Sequence, residues 1–316
     1  MIPPGLDEFW STVEPAARRL LALARDEDLG LDGDLSTLAG GLADRPARAR
    51  VVARSGGTLA GLRALPAVLD AFAAALTRAE ALARDGDVAA PGDAILELSG
   101  PLGELLAIER TLLNLLSRLS GVATLTSAYV RAAAMGAGGE GGSSAGSEGG
   151  NRGRAQVFDT RKTTPGLRAL EKYAVRCGGG HSHRMGLDDA VLLKDNHLAH
   201  IPLDRLRAWL VETAGRARSR RPGVFIEVEA DREDQFEEAL ASGVVDAVLL
   251  DNMAPPRLRA CVRRRDAVAP GVLLEASGGV TLERIGEIAR TGVDRISVGA
   301  ITHQAAAIDL ALDILR

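Results

Sequence analysis

The second half of the chain keeps a rhythm that few folds can accommodate. Strand-like apolar runs end at Asp159, Lys194, Glu229, Asp251, Ser277 and Gly299, and helical patterns over 203–218, 231–242, 255–267 and 281–291 lie between the later ones. A strand, a polar residue at its C-terminal end and a helix thus recur every 22 to 35 residues. Repeated βα units of this size imply a parallel sheet, and polar residues gathered at strand C-termini mark the active face of an α/β barrel. Six strands are evident where a full barrel needs eight, so the expected fold is an incomplete, open α/β barrel.

The first half has a different character. From Leu6 to about Asp26 the pattern is helical, with an apolar stripe of Phe9, Val13, Leu20 and Leu23 interrupted at Pro15. Asp34 and Thr37 lie in a turn-rich loop and read as turn and capping residues. Ala47 to Arg54 and Thr58 to Leu62 resemble two short strands around Gly56 and Gly57, a hairpin-type signal. A helix over 65–84 and a strand over 93–98 complete a small α+β unit. The pattern over 103–134 is nearly continuous helix, broken or bent near Gly121 and apolar on more than one face, as in a helix buried between domains or subunits. A guanidinium in such a helix needs an anionic partner, and for Arg110 the nearest is Glu109. The expected division is an N-terminal α+β domain over 1–125, to which a C-terminal helix over 304–316 can be added, and a barrel domain over 126–303. The barrel carries a glycine-rich insertion, 136–153, that can bury no apolar area and reads as a flexible surface loop without chemistry.

Chemistry concentrates between Asp159 and Asn196, where Arg161, Lys162, Arg168, Lys172, Arg176, Arg184 and Lys194 accompany His181 and His183. The net charge of the whole chain is −4, so there is no general attraction to nucleic acid, and a local basic cluster points to small anions. Arg offers a planar fork for carboxylate or phosphate and Lys a movable point charge; a solvated basic surface is the bland alternative. Two cysteines exclude a disulfide framework, 3% aromatic residues offer no base-stacking platform, and no apolar run is long enough to span a membrane. The expected location is the cytoplasm. Cys177, His181 and His183 lack a zinc spacing.

Two further groups stand at strand ends. Glu227 and Glu229 leave one face of the IEVEA strand, and Asp251 ends the next. Glu227 is expected to pair with cations inside the barrel. Glu229 and Asp251 can hold Mg²⁺ through water, bind ribose hydroxyls or stabilise positive charge developing on a sugar. On the last two strands, Ser277, Gly278, Gly279, Gly299 and His303 read as a phosphate cradle.

The motifs DTRKTTPGLR, HSHR, LLKDNH, IEVEA, VLLDNM, LEASGGV and ISVGAITH occur in the order and rough spacing of the quinolinate phosphoribosyltransferase family, which the chain resembles over nearly its whole length. The resemblance implies a pentosyltransferase of NAD biosynthesis with an open barrel. Phosphoribosyl diphosphate and quinolinate would give nicotinate mononucleotide, diphosphate and CO₂. By the same resemblance Arg161, His183, Arg184 and Lys194 grip quinolinate, and Arg110, in the ERTLLN segment, reaches the active site of a partner subunit. The shared sites imply a homodimer or a higher homo-oligomer. Lys162, Glu229 and Asp251 are the implied catalytic residues, the last two also holding Mg²⁺. Two alternatives stay open: a paralogue acting on another aromatic acid, and a catalytically silent barrel that senses a phosphorylated metabolite. Glu229, Asp251 and Lys162 together argue against the sensor, since a phosphate binder gains nothing from carboxylates near its anion.

Overall fold

The structure is a computed structural model and describes residues 5–136 and 155–315. Two compact units emerge, one made of 1–127, 163–180 and 301–316, the other of 128–162 and 181–300. The first begins with α1 (Leu6–Leu29), α2 (Leu35–Ala39), β1 (Pro46–Ala53), β2 (Gly57–Thr58), α3 (Leu65–Ala71), β3 (Arg78–Ala81), β4 (Val88–Ala89), β5 (Ala94–Pro101) and α4 (Leu102–Gly136), whose last turns belong to the second unit. Next come β6 (Gln156–Phe158), α5 (Arg168–Cys177) of the first unit, β7 (Val191–Leu193), α6 (Asp195–Leu198), α7 (Leu203–Arg220) and β8 (Ile226–Ala230). They are followed by α8 (Glu233–Ser242), β9 (Ala247–Asp251), α9 (Pro255–Val268), β10 (Leu273–Ser277), α10 (Leu282–Ala289) and β11 (Arg295–Ser297). Finally α11 (Ala300–His303) leads back to β12 (Leu310–Leu315) in the first unit. No described helix is long and apolar enough to cross a membrane.

In the first unit the sheet is antiparallel, in the order β12-β1-β5-β3. One face of β1 buries Ala49, Val51 and Ala53; on the other, Arg50 Nε donates to Glu97 Oε1 at 2.7 Å from the residue directly opposite on β5. That alternation lets one face pack and the other meet water. Four local expectations are corrected here. The segments after Ala47 do not form a hairpin: β1 pairs with β12 and β5, and β2 with β4. The expected helix over 65–84 ends at Ala71, because Arg78–Ala81 pairs with β5, and strand pairing overrides the helical preference of an alanine-rich run. Over 304–316 the expected helix is the strand β12, registered along β1 from Leu310 to Leu315. Finally, α1 runs unbroken past Pro15 and buries Leu6, Trp10, Val13, Ala17 and Leu21, leaving Leu23 68% exposed.

α4 is one continuous helix of 35 residues. Gly121 does not break it. A Cβ there would collide with the carbonyl oxygen of Ala306, so the glycine allows a backbone approach. Asp34 does cap α2, its carboxylate accepting the Thr37 N–H at 3.1 Å. A fully buried carboxylate, Glu171 on α5, anchors the loop before that helix. Its Oε1 accepts from Arg118 Nη2 at 2.7 Å and Thr164 Oγ1 at 2.8 Å, its Oε2 from the Thr164 N–H at 3.0 Å. Arg118 also donates to the carbonyls of Thr302 at 2.6 Å and Ala305 at 2.7 Å.

The second unit is built on a parallel sheet in the order β6-β11-β10-β9-β8-β7. β6 and β7 are its two edges, and beside β6 lies a single bridge from Phe158 to His181, so the barrel is open between them. The strands are buried nearly end to end, as helices covering a parallel sheet require. The glycine-rich insertion lies outside the described residues except Gly136, whose missing side chain admits the backbone of Gly286.

Candidate active site

The C-terminal ends of the parallel strands bring together most of the cations and carboxylates singled out in the sequence. Asp159, just past β6, is fully buried and accepts the His183 N–H at 2.9 Å, which draws the HSHR loop to the strand end. Asp189 shapes the next turn, its carboxylate accepting the Met185 N–H at 2.6 Å. The His183 ring lies deep: Nε2 is 3.0 Å from Glu227 Oε2 and 3.4 Å from Glu275 Oε1. Both carboxylates are buried, and each keeps one oxygen, Glu227 Oε1 and Glu275 Oε2, without a hydrogen bond. Ser297 Oγ donates to Glu275, and Arg295 sits 4.9 Å from the ring centres of both Phe158 and Phe225, its charge favouring the Glu227 carboxylate.

Burial alone would push the His183 pKa down, but hydrogen bonds to Glu227 and Glu275 raise it to about 9. The Arg184 N–H, 2.8 Å from Nδ1, works the other way, since it needs that nitrogen bare. His183, Glu227 and Glu275 form the one cluster of three possible metal ligands found among the described residues. With Nδ1 facing an amide and Arg295 already acting on Glu227, a hydrogen-bonded charge cluster suits these groups better than a metal site. Glu227 thus pairs inside the barrel, with His183 as its hydrogen-bonded partner.

Nearer the mouth stand the arginines. Arg161 is half-buried and its Nε has no hydrogen bond; Arg184, also half-buried, donates from Nη1 to the Ala190 carbonyl at 3.2 Å. Burial and then the charge of Arg161 push the Arg184 pKa down. A guanidinium whose charge is disfavoured by burial and by a neighbouring cation is stabilised by an anion beside it. Lys194 is exposed, with Nζ 3.6 Å from Glu229 Oε2. The Glu229 pKa is raised, by burial first and by the Asp251 carboxylate as well, while Lys194 opposes the rise. Asp251 ends β9, beside Ser277 at the end of β10 in register. Gly278 and Gly279 follow with φ of 90° and 55°, left-handed backbone that glycine adopts without strain. Lys162 is exposed, its N–H bonded to Thr160 Oγ1 at 3.0 Å, and Gly299 lies just beyond β11.

A hard cation bound through one or two carboxylates, water and substrate phosphates fits Glu229 and Asp251: both are oxygen donors on adjacent strands, and the raised Glu229 pKa reflects charge that a cation would offset. Two expected site residues belong to the first unit. His303 is exposed on α11, and Arg110 has a side chain 67% exposed, 3.8 Å from Glu109 Oε1. Within one chain its charge therefore faces solvent. Sequence reasoning passed over Glu275, Arg295 and the buried role of Asp159. A carboxylate in the middle of the apolar LLEAS strand was the available signal for the first.

Comparison with known proteins identifies the family of the chain. The chain matches the family profile "Quinolinate phosphoribosyl transferase, C-terminal domain" over residues 143–313 and the corresponding N-terminal domain over 34–120. It is 39% identical over 303 residues to the carboxylating nicotinate-nucleotide pyrophosphorylase of Mycobacterium leprae, covering 95% of this chain and 97% of that protein. The probable enzyme of the same name from Bacillus subtilis is 37% identical over 292 residues, covering 91% and 90%. Among solved structures, the nicotinate-nucleotide pyrophosphorylase from Francisella tularensis superposes with a TM-score of 0.81 at 32% identity, covering 96% of this chain and 97% of that one. Both domains, their order and the parallel-sheet architecture agree, and the chain belongs to the quinolinate phosphoribosyl transferase family.

Proposed function

We propose that this chain transfers phosphoribosyl from phosphoribosyl diphosphate to quinolinate and releases diphosphate and CO₂, forming nicotinate mononucleotide for NAD biosynthesis. The observation that carries the reading is the Arg161 and Arg184 pair, two half-buried cations held against their mutual repulsion in the unit whose neighbouring strand ends hold Glu229 and Asp251. Such a pair suits a small dicarboxylate. Arg161, Arg184 and Lys194 grip the quinolinate carboxylates, with His183 set behind them against Glu227 and Glu275. Glu229 and Asp251 face the ribose and stabilise the positive charge that builds at its C1 as the diphosphate departs. Lys162, exposed on the loop after β6, meets the leaving diphosphate. Glu229 and Asp251 would hold Mg²⁺, which would supply further neutralisation of diphosphate charge. Attack by the pyridine nitrogen makes the ring cationic; loss of CO₂ then leaves an electron pair on C2, an ylide stabilised by the adjacent positive nitrogen, and a proton taken from water forms the C2–H bond, so no side chain need act as a base there. Ser277, Gly278, Gly279 and Gly299 receive the 5-phosphate.

The test is diphosphate release from phosphoribosyl diphosphate, Mg²⁺ and quinolinate, with nicotinate as the control. A charge-assisted hydrogen bond contributes about 1.5–3 kcal/mol and a stranded cation adds to the loss, so nicotinate, lacking the 2-carboxylate, should turn over very poorly. Efficient nicotinate turnover would overturn the dicarboxylate grip. Binding of phosphoribosyl diphosphate with no diphosphate released would favour the sensor.

The same reading places the enzyme in the cytoplasm as a homodimer with shared sites, Arg110 of one subunit completing the quinolinate grip of the other. The exposure of Arg110 in the single chain suits that role. Arg110→Ala and Lys162→Ala proteins should each be nearly inactive. A freely exchanged mixture should recover about a quarter of the activity, since half the dimers are mixed and each has one intact site. Confirmed exchange without recovery would confine Arg110 to its own chain.

A further inference from the structure

At the end of β9 the backbone turns through Asn252 in the left-handed region, φ 53°, a conformation that only Ala73 shares among the described non-glycine residues. Along a strand, consecutive side chains leave opposite faces, so residue 252 would ordinarily point away from the carboxylate of residue 251. The left-handed turn reverses that. Asn252 Nδ2 donates to Asp251 Oδ2 at 2.6 Å, while its backbone N–H donates to the Ser277 carbonyl at 2.9 Å. The carboxylate acceptor fixes which end of the amide faces Asp251, since only the NH₂ can donate. Across the strand gap the side chain fills the place that a residue other than glycine at 278 would need: a Cβ there would collide with Asn252 Oδ1.

We propose that Asn252 is a positioning residue for Asp251. Its amide holds Oδ2 and fixes the carboxylate plane, so that Oδ1, which makes no hydrogen bond among the described residues, is presented to the phosphoribosyl group. The same residue, through its backbone N–H to the Ser277 carbonyl, ties the carboxylate to the Ser277 and Gly278 turn, so the ribose-facing group and the phosphate-facing loop move as one piece. This rests on the reading of Asp251 as a ribose-facing carboxylate. Its chemical basis is general: a carboxylate with one oxygen bonded by a rigid neighbour loses the rotation that would otherwise spread it over several orientations. A merely structural role is the competing account, because asparagine tolerates left-handed backbone better than other residues with a Cβ.

Two variants separate these accounts. Asn252→Gly keeps the backbone conformation and removes the amide; Asn252→Asp keeps the shape but sets an acceptor and a like charge against Asp251. Both are assayed for quinolinate affinity by calorimetry, for binding of phosphoribosyl diphosphate with Mg²⁺, and for kcat and KM of each substrate. Asn252→Gly should lower kcat/KM for phosphoribosyl diphosphate by roughly 10- to 100-fold, the equivalent of one charge-assisted hydrogen bond, and leave quinolinate affinity within about twofold. Asn252→Asp should lose more on the phosphoribosyl side, again with quinolinate affinity kept. Parental kinetics in Asn252→Gly would overturn the proposal and leave the residue as a turn former. If Asn252→Gly does not fold, parental kinetics in Asn252→Asp would overturn it equally. Should the parent bind phosphoribosyl diphosphate but release no diphosphate with quinolinate, the functional reading fails, and the affinity of both variants for phosphoribosyl diphosphate still decides the role of Asn252.

Discussion

Glu171 in the first unit and the Glu227 and Glu275 pair in the second are all buried carboxylates, and they are treated in opposite ways. Glu171 receives donors on both oxygens, from Arg118 and from the backbone and hydroxyl of Thr164. Glu227 and Glu275 share one histidine, and each leaves an oxygen without a hydrogen bond. Leaving a buried charge short of partners costs free energy that a purely structural element would avoid. The first unit uses its buried carboxylate to fix a loop, whereas the second keeps incompletely bonded carboxylates beside the proposed ligand site. Mutations should therefore register as lost stability in one place and lost activity in the other.

The largest expected effect is at the barrel mouth. Glu229→Gln should reduce kcat by a factor on the order of 10³ while quinolinate binding in calorimetry stays near parental, because the carboxylate serves charge that exists only in the transition state. If quinolinate binding is abolished and the rate at saturation spared, the roles assigned to the two halves of the site are reversed.

Next comes Arg118→Ala, which takes the ionic partner from the Glu171 carboxylate and a donor from the carbonyls of Thr302 and Ala305. Breaking a buried pair in this way costs about 3–5 kcal/mol, to be read from urea unfolding. A loss below about 1 kcal/mol would erase the distinction between the two carboxylate environments.

A smaller effect follows from His183. Its folded pKa is raised to about 9, so its contribution to stability is fully present below the ordinary histidine value near 6.5 and is lost as pH rises through about 9. Glu275→Gln removes one cause of the rise and should flatten the stability profile across that window. If instead the Arg184 amide keeps the ring neutral, the parent and the variant will show the same profile there.

The smallest effect has the opposite sign. Arg184→Gln removes a half-buried charge disfavoured by burial and by Arg161, and should raise stability by about 0.5–1 kcal/mol while activity collapses. A destabilised variant would mean that the Ala190 contact outweighs the repulsion.

The parallel strands were readable from sequence because each is a short apolar run closed by a charged or small residue, and all six fall within two residues of the expected ends. Antiparallel pairing in the first unit was not. β3 is an alanine-rich and β12 an alanine- and leucine-rich segment; β12 pairs with β1 from the other end of the chain and β3 with β5 past the intervening β4, and local propensity carries no information about either partner. In the site, the residue types of Arg161, Arg184, Glu229 and Asp251 announced themselves. Asn252 did not, because its part depends on a left-handed φ that an Asp-Asn-Met run does not reveal.

The pairing of β12 with β1 has a consequence for how the protein is made. β1 ends at Ala53 and its outer neighbour begins at Leu310, so more than two hundred residues are synthesised before that edge is covered. At about 5–20 residues per second, a ribosome exposes the bare backbone of β1 for roughly ten seconds or longer. Unpaired edges of this kind recruit other strands, and Arg48 and Arg50, which point outward from β1, are the charges that discourage such pairing during the interval. Replacing both should leave the finished enzyme nearly unchanged but lower the yield of soluble chains from translation, an outcome visible in a cell-free synthesis and not in any measurement on the purified protein.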